Sequence, residues 1–301
     1  MQLFLTGLTG HIGRSVGRAL LARGHGITAL VRSPMTVPAE FATRVTLLRG
    51  DLKDPGSYAS ALRAADAVVH AAFEYADGVE VIETEAIAVG VLAAALDASA
   101  VSRVVYTSSA FLVGDGGPRA RITEHWPLST RQLRSPRIGF EQRIAMQPRG
   151  AAVRVGMVYG GARGTVHALF DDLAHGRDVS QILRRRNRWS LIHVDDLAAL
   201  YVAIIERNAS GIFHGTDGIP LTAGEVVRIC RDTWRRSPDD GPVADASAAS
   251  ALIDSEVLRR DVAVLPVRSR ELGWAPRYAS FVEGVEVAYA DWIRCFRPAA
   301  G

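Results

Sequence analysis

The sequence predicts an α/β fold of the doubly wound kind, a parallel sheet with helices on both faces. Three observations predict it. Strand and helix patterns alternate along the chain, glycines at a fixed spacing sit on the first strand-to-helix turn, and the apolar content is ample for a large core. The chain has 301 residues, 48% hydrophobic and 22% charged, long enough for one α/β unit with an appended part.

The elements follow in order. Gln2-Leu3-Phe4-Leu5-Thr6 reads as a short apolar strand, and Gly7-Leu8-Thr9-Gly10-His11-Ile12-Gly13 follows it directly. Val16, Ala19 and Leu20 then carry a helical period over about 11–23. A second strand over 26–31 ends at Arg32-Ser33-Pro34, and a third over 45–48 closes on Gly50-Asp51-Leu52. A helix around 56–64 leads to a fourth strand, 67–70, followed by Ala71-Ala72. An Ala-rich helix over 80–99, a fifth strand over 103–107, a further helix and a sixth strand over 151–155 complete the alternation. There is no internal repeat, and 237–250 is the one polar, small-residue stretch long enough to be loose.

Composition excludes several classes. Cys230 and Cys295 are the only cysteines, too few for a disulfide framework and without metal-ligand spacing, so no metal and a reducing cytoplasm are expected. A strand beginning at residue 2 predicts no leader, and no apolar run reaches membrane-spanning length. A formal charge of +3, with 32 acids against the bases and no groove-reading motif, argues against nucleic acid. The bases are almost all Arg, with Lys53 the single Lys.

The first turn predicts a dinucleotide. On a strand-to-helix turn, Gly7 allows the tight turn, Gly10 lets the backbone approach a pyrophosphate, and Gly13 lets helix and strand pack closely. The helix start then offers free N–H groups and its positive dipole end to the phosphates. An acid at the end of the second strand would accept from a ribose 2′-hydroxyl, whereas Arg there suits a 2′-phosphate. Arg32 occupies that place, no acid stands beside it, and Arg14 follows Gly13. NADP(H) is the expected cofactor, because Arg pairs with a phosphate through two parallel N–H bonds. His11 is ambiguous, since a turn residue equally faces solvent.

Together these motifs resemble the extended short-chain dehydrogenase/reductase (SDR) family, which implies a Rossmann-type sheet. Asp51-Leu52 resembles the family's adenine contact, and His70-Ala71-Ala72 its fourth-strand segment along the cofactor. Arg154-Val155-Gly156-Met157-Val158-Tyr159-Gly160 is similar to the segment that meets the nicotinamide, with Val155 in place of the usual Pro. Ile192-His193-Val194-Asp195-Asp196 and Leu272-Gly273-Trp274-Ala275-Pro276 resemble two further signatures, in which Asp195 and Asp196 read as structural. Tyr106-Thr107-Ser108-Ser109 resembles the family's serine stretch, with Thr107 near the cofactor, Ser109 at the catalytic place and Ser108 as a substitute.

The Tyr-x-x-x-Lys pair of that family is absent, because the one Lys lies at 53. Aligning Arg137-Ile138-Gly139-Phe140-Glu141 on the family's Lys-x-x-x-Glu puts Arg137 at the Lys position and Leu133 at the Tyr position. Leu carries no proton, and Arg is a poor proton source. Ser135-Pro136 reads as a helix start, which leaves Leu133 in a loop.

Oxidising an alcohol demands a base; reducing a ketone demands only a proton for the developing alkoxide, which water or the substrate's own acidic hydroxyl supplies. These combined features resemble atypical SDR ketoreductases of aromatic polyketide pathways. That likeness implies NADPH-dependent reduction of a polycyclic, angucyclinone-like ketone. Substrate-lining candidates are Phe73, Phe111, Leu112, Val113 and Tyr159. The alternatives are a nucleotide-sugar epimerase or dehydratase using the Arg184–Arg188 run, and a non-catalytic NADP(H)-binding regulator. The family also implies a cofactor domain over 1–160 with a return near 190–215, and a small substrate-binding cap over 161–189 and 216–301. Thr222-Ala223-Gly224-Glu225 reads as a capping box opening a cap helix. Monomer and homodimer both remain open.

Overall fold

Seven strands form one parallel sheet: β1 (Gln2–Thr6), β2 (Gly26–Val31), β3 (Thr46–Arg49), β4 (Ala67–His70), β5 (Arg103–Ser109), β6 (Gly150–Val155) and β7 (Gly211–Gly215). This computed structural model describes residues 1–76, 79–114, 117, 120–161, 163–236, 252 and 255–296; the loose stretch expected at 237–250 lies outside them. The strand order is β7-β6-β5-β4-β1-β2-β3. The chain runs outward from β1 to β3 and returns to β4 on the other side of β1, so the order reverses between β1 and β4. In an open α/β sheet that reversal leaves a crevice at the carboxyl ends of the strands.

The longer helices within the sheet's span, among the described residues, are α1 (His11–Ala22), α2 (Ile82–Asp97), α3 (Pro136–Ala145), α4 (Thr165–Ala174) and α5 (Val194–Glu206). Strand alternation explains why both faces are covered. Leu3, Leu5, Ala67, Val69 and Val105 enter one core with Val16 and Leu20 of α1 and Leu197 and Tyr201 of α5. Phe4, Val68, Val104 and Tyr106 enter the other with Val89 and Leu92 of α2 and Ile144 of α3.

A further core gathers α4, α6 (Ala223–Arg235) and α7 (Phe281–Phe296) around Trp189, Phe170 and Trp292. The Thr222 hydroxyl accepts from the Glu225 N–H and the Glu225 carboxylate from the Thr222 N–H, a capping box that starts α6. The described residues of 216–301 do not all join this core, however. The short helix Val267–Glu271 packs on β7, and Trp274 joins the sheet-side core, its Nε1 donating to the Asp196 carbonyl at 3.1 Å.

Several boundaries differ from expectation for local reasons. Around 56–64 the chain makes a 3₁₀ turn, Pro55–Ser57, whose Asp54 side chain accepts from the Gly56 N–H, and then a single helical turn, Ala59–Arg63. The Ala-rich helix starts at Ile82 because Val79–Glu80 pairs antiparallel with Tyr75–Ala76. Ser135 takes the N-cap position of α3 with Pro136 at its first residue, yet its side chain makes no capping bond. Leu133 ends a one-turn helix, Thr130–Leu133, started by a Ser129/Gln132 capping box, so it lies on a helix rather than in a loop.

Candidate active site

The crevice at the strand-order reversal holds a cavity of about 490 Å³. Its floor is the glycine turn. Gly7 has φ +79°, and a Cβ there would stand 2.6 Å from the Ala71 and Ala72 backbone. A Cβ on Gly13 would stand 2.0 Å from the Gly7 carbonyl oxygen. Only glycine tolerates either place. Helix α1 begins at Gly10, which has no side chain to cap the first N–H groups, and its first turn carries no acid. Those N–H groups and the dipole end are therefore left for an anion.

Around the cavity stand Thr9 and Gly10 of the turn, Arg32 after β2, Asp51 and Leu52 after β3, and Ala71, Ala72 and Phe73 after β4. Elements distant in sequence are thus brought to one cradle, which fits a dinucleotide: small residues against the backbone, an uncapped helix start and a guanidinium at the rim. Phe73, expected among substrate residues, belongs to this wall, with the Arg137 guanidinium 4.3 Å above its ring.

Other expected cofactor residues are engaged elsewhere. Arg14 donates to Glu40 at 2.6 Å and Arg18 to the same carboxylate at 2.7 Å, which lowers the Glu40 carboxyl to about 2. Arg14 is therefore spent on Glu40 and does not line the cavity. His11 turns away and bonds the Gly160 carbonyl at 2.8 Å, and burial lowers its pKa. Ile12 packs against the sheet-side core. His70 is 1% exposed: its Nδ1 lies 2.9 Å from the Thr6 hydroxyl, its Nε2 3.5 Å from Glu85, and its ring stacks on Tyr106. It is a buried network residue, and only the Ala71-Ala72 main chain beyond it faces the cavity. The Thr107 hydroxyl pairs with the fully buried Tyr201 at 2.8 Å. Sequence also missed Glu74, which lines the cavity 3.8 Å from Arg32. Arg32 thus has an acid beside it in space although none adjoins it in the chain.

At the other end, the two serines differ. The Ser108 hydroxyl is buried and donates to Glu141 at 2.6 Å, and Glu141 in turn takes Arg154 through bonds of 2.6 and 2.9 Å. Ser108 is thereby committed to a buried ion pair, which removes it as a substitute for Ser109. The Ser109 hydroxyl accepts from the Phe111 N–H at 3.2 Å, which leaves its own proton without an acceptor among the described residues. Arg137 is half-buried in the first turn of α3, and Leu133 is 52% exposed.

The substrate candidates divide in the same way. Phe111 and Leu112 are half-buried, and Phe111 packs against both the core around Trp189 and a small cluster around Ala110. Val113 is completely buried in that cluster with Ile138 and Val262, so it lines nothing. Tyr159 is likewise 0% exposed, edge-on to both His193 and Phe281, a packing residue of the core around Trp189. Gly156 lies against the Ser190 carbonyl, which a Cβ there would approach to 2.4 Å, and Met157 is buried beside Leu191; Val158 alone of the three is half-exposed. Asp195 accepts from Ser15 at 2.5 Å and Asp196 from the Arg277 and Tyr278 N–H groups, both structural roles. Within the Arg184–Arg188 run, Arg188 pairs with Asp261 at 2.6 Å and Asn187 donates to the Leu258 and Arg260 carbonyls. These two residues pin the 258–261 segment.

Comparison with known proteins gives consistent findings. The description "NAD dependent epimerase/dehydratase family" matches residues 3–214. Sterol demethylase protein B of Methylococcus capsulatus is 34% identical over 133 residues, 43% of this chain and 40% of that protein, so that likeness spans less than half of either. The 4-hydroxy-2-methyl-3-oxo-4-farnesyl-3,4-dihydroquinoline-1-oxide ketoreductase of Stigmatella aurantiaca is 27% identical over 323 residues, 97% of this chain and 89% of that protein. Human epimerase family protein SDR39U1 (isoform 2), solved with NADPH, superposes with a TM-score of 0.72 at 18% identity, over 97% of this chain and 100% of that one, a likeness of fold.

Proposed function

The chain belongs to the NAD dependent epimerase/dehydratase family, and from that premise we propose that it is an NADPH-dependent ketoreductase acting on a polycyclic aromatic ketone, with the proton drawn from the substrate or water. One observation carries the reading. The place of a proton-carrying Tyr is Leu133, exposed on its one-turn helix, and the only Lys of the chain is held by Glu74 far along the cofactor groove. With Leu133 and Arg137 where the family carries its Tyr and Lys, no Tyr–Lys pair takes a proton from an alcohol, which suits reduction better than the oxidation that opens epimerisation. The Stigmatella relative, named as a ketoreductase of a farnesylated quinoline oxide, adds support.

Bound NADPH supplies the hydride. The chain's own residues bind and align. The Gly10 N-terminus of α1 holds the pyrophosphate, Asp51 and Leu52 the adenine, and Arg32 the 2′-phosphate. Ser109, whose oxygen is already occupied by the Phe111 N–H, turns its proton outward as a donor to the carbonyl oxygen. Arg137, fixed over Phe73, contributes positive charge without giving up a proton. Phe111 and Leu112 offer the apolar face a flat substrate needs. A neighbouring phenol on the substrate both polarises the ketone and passes on its proton, making up part of the about 10²–10⁴ in rate that general acid catalysis is worth. The nucleotide-sugar alternative loses ground because Arg188 and Asn187 are already bonded within the chain.

Steady-state turnover with NADPH and NADH, against polycyclic ketones with and without a hydroxyl beside the carbonyl, tests the proposal. Preference for NADPH and turnover confined to the hydroxylated ketones is the expected result. Tight NADPH binding with no turnover of any ketone overturns it in favour of a regulator.

A further inference from the structure

Three charged residues from three different loops meet at the rim of the cavity. Arg32 follows β2, Lys53 follows β3 and Glu74 follows β4. The Glu74 carboxylate is the shared partner. Its Oε2 accepts from the Thr84 hydroxyl at 2.6 Å and stands 3.0 Å from Lys53 Nζ, while its Oε1 takes Lys53 at 3.1 Å. Arg32 Nη1 stands farther off, 3.8 Å from Oε1, within ion-pair range but beyond a hydrogen bond. The Thr84 and Lys53 bonds hold the carboxyl below its ordinary pKa, so it stays charged at neutral pH.

This arrangement ranks the partners of Glu74. It is anchored on Thr84 and Lys53 and only loosely drawn to Arg32, whose side chain is 75% exposed. On the reading that Arg32 receives a cofactor 2′-phosphate, that dianion and Glu74 compete for the same guanidinium. The phosphate repels the carboxylate, whereas a neutral 2′-hydroxyl does not. Lys53 partly neutralises Glu74 and, with Thr84, keeps it from swinging onto Arg32.

We propose that Glu74 sets the cofactor preference of the site by competing with the 2′-phosphate for Arg32, and that Lys53 and Thr84 are positioning residues that keep this competition weak. The only lysine of the chain thus serves selectivity without touching the nucleotide. The inference rests on the NADP(H) reading of the site and adds a restraint to it.

The signature is a pair of opposite signs from neighbouring residues. Removing the negative charge with Glu74→Gln strengthens NADPH binding by about two- to fivefold, the scale of an exposed charge pair, with NADH little changed. Removing the restraint with Lys53→Met or Thr84→Val weakens NADPH by a similar factor, and all these shifts shrink in about 0.5 M salt through screening. In an Arg32→Ala background, Glu74→Gln favours NADPH by a smaller factor, because the contested partner is gone and only the direct repulsion between carboxylate and phosphate is relieved.

Dissociation constants for NADPH and NADH, read by titration of nucleotide fluorescence on the full chain with thermal melting as the check on folding, provide the test. Tighter NADPH with Glu74→Gln together with weaker NADPH with Lys53→Met supports the proposal. Equal shifts for both nucleotides, or shifts of the same sign for the two variants, overturn it. If Arg32→Ala leaves NADPH and NADH unchanged relative to each other, the NADP(H) reading itself fails, an outcome distinct from failure at Glu74.

Discussion

On the proposed reading, the adenosine end of the cofactor groove and its reacting end are made of different material. At the first, main chain does the shaping: a turn that only Gly7 and Gly13 permit, an uncapped helix start, and Ala71 and Ala72 presenting backbone. At the second, side chains decide, and most of those that carry hydroxyls or charges are already bonded inward. Ser108 serves Glu141 and Arg154, Thr107 pairs with Tyr201, and the Ser109 hydroxyl proton has no acceptor among the described residues. A fold preserves a binding cradle through backbone geometry, while its reacting groups change with the orientation of single residues.

The largest effect that probes this contrast is at Glu141. Glu141→Ala leaves Arg154, 1% exposed, as an unpaired buried charge and costs about 3–5 kcal/mol in unfolding free energy. Denaturant melts check it; a loss below about 1 kcal/mol would mean that the Ser108–Glu141–Arg154 set is not structural.

A region outside both ends offers the next test. Asp217 is 3% exposed at the end of β7, accepts from the Ile219 N–H at 2.8 Å, and burial pushes its carboxyl up to about 7. The folded chain thus binds this proton more tightly than the unfolded one. Stability from neutral Asp217 is fully present below about pH 4 and is lost as pH rises to about 7, on the order of 4 kcal/mol in all. Asp217→Asn should flatten that fall in melting temperature, and an unaltered pH dependence would contradict the assignment.

Smaller effects separate the ends more finely. Gly7→Ala forces a side chain onto φ +79° against the Ala71 backbone, costing about 1–3 kcal/mol in strain and weakening NADPH binding at least about tenfold. Ser108→Ala loses a bond to a charged acceptor, about 1.5–3 kcal/mol of stability, with turnover nearly kept. Ser109→Ala does the reverse, lowering turnover by about tenfold or more with little change in melting. Leu133→Ala, at an exposed position, changes both by less than about 0.5 kcal/mol.

The cradle at the strand-order reversal was legible because its signals are local. Glycines at 7, 10 and 13 dictate backbone, and Arg32, Asp51 and Ala71 each follow a strand that the hydrophobic pattern reveals. What was not legible depends on which way a side chain turns or on what a distant loop brings near. Val113 and Tyr159 look like a substrate wall in the chain but point into cores, and His70 faces Thr6 and Glu85. Arg14 looked free for phosphate until Glu40, 26 residues on, took it. Glu74 reaches Arg32 only because β2 and β4 both flank β1. The absence of the Tyr-x-x-x-Lys pair, by contrast, could be read from the one lysine alone.

The most direct test of the central claim, that the binding end is intact while the protein brings no general acid, is the pH profile of kcat/KM for reduction of a hydroxylated polycyclic ketone and its unhydroxylated counterpart, in the wild type and in Arg137→Ala. The account predicts, for the hydroxylated ketone, a profile that follows ionisation of its phenol and is the same in both proteins, with no turnover of the unhydroxylated counterpart. An ionisation common to both ketones and lost in the variant would place the proton on the protein and contradict it.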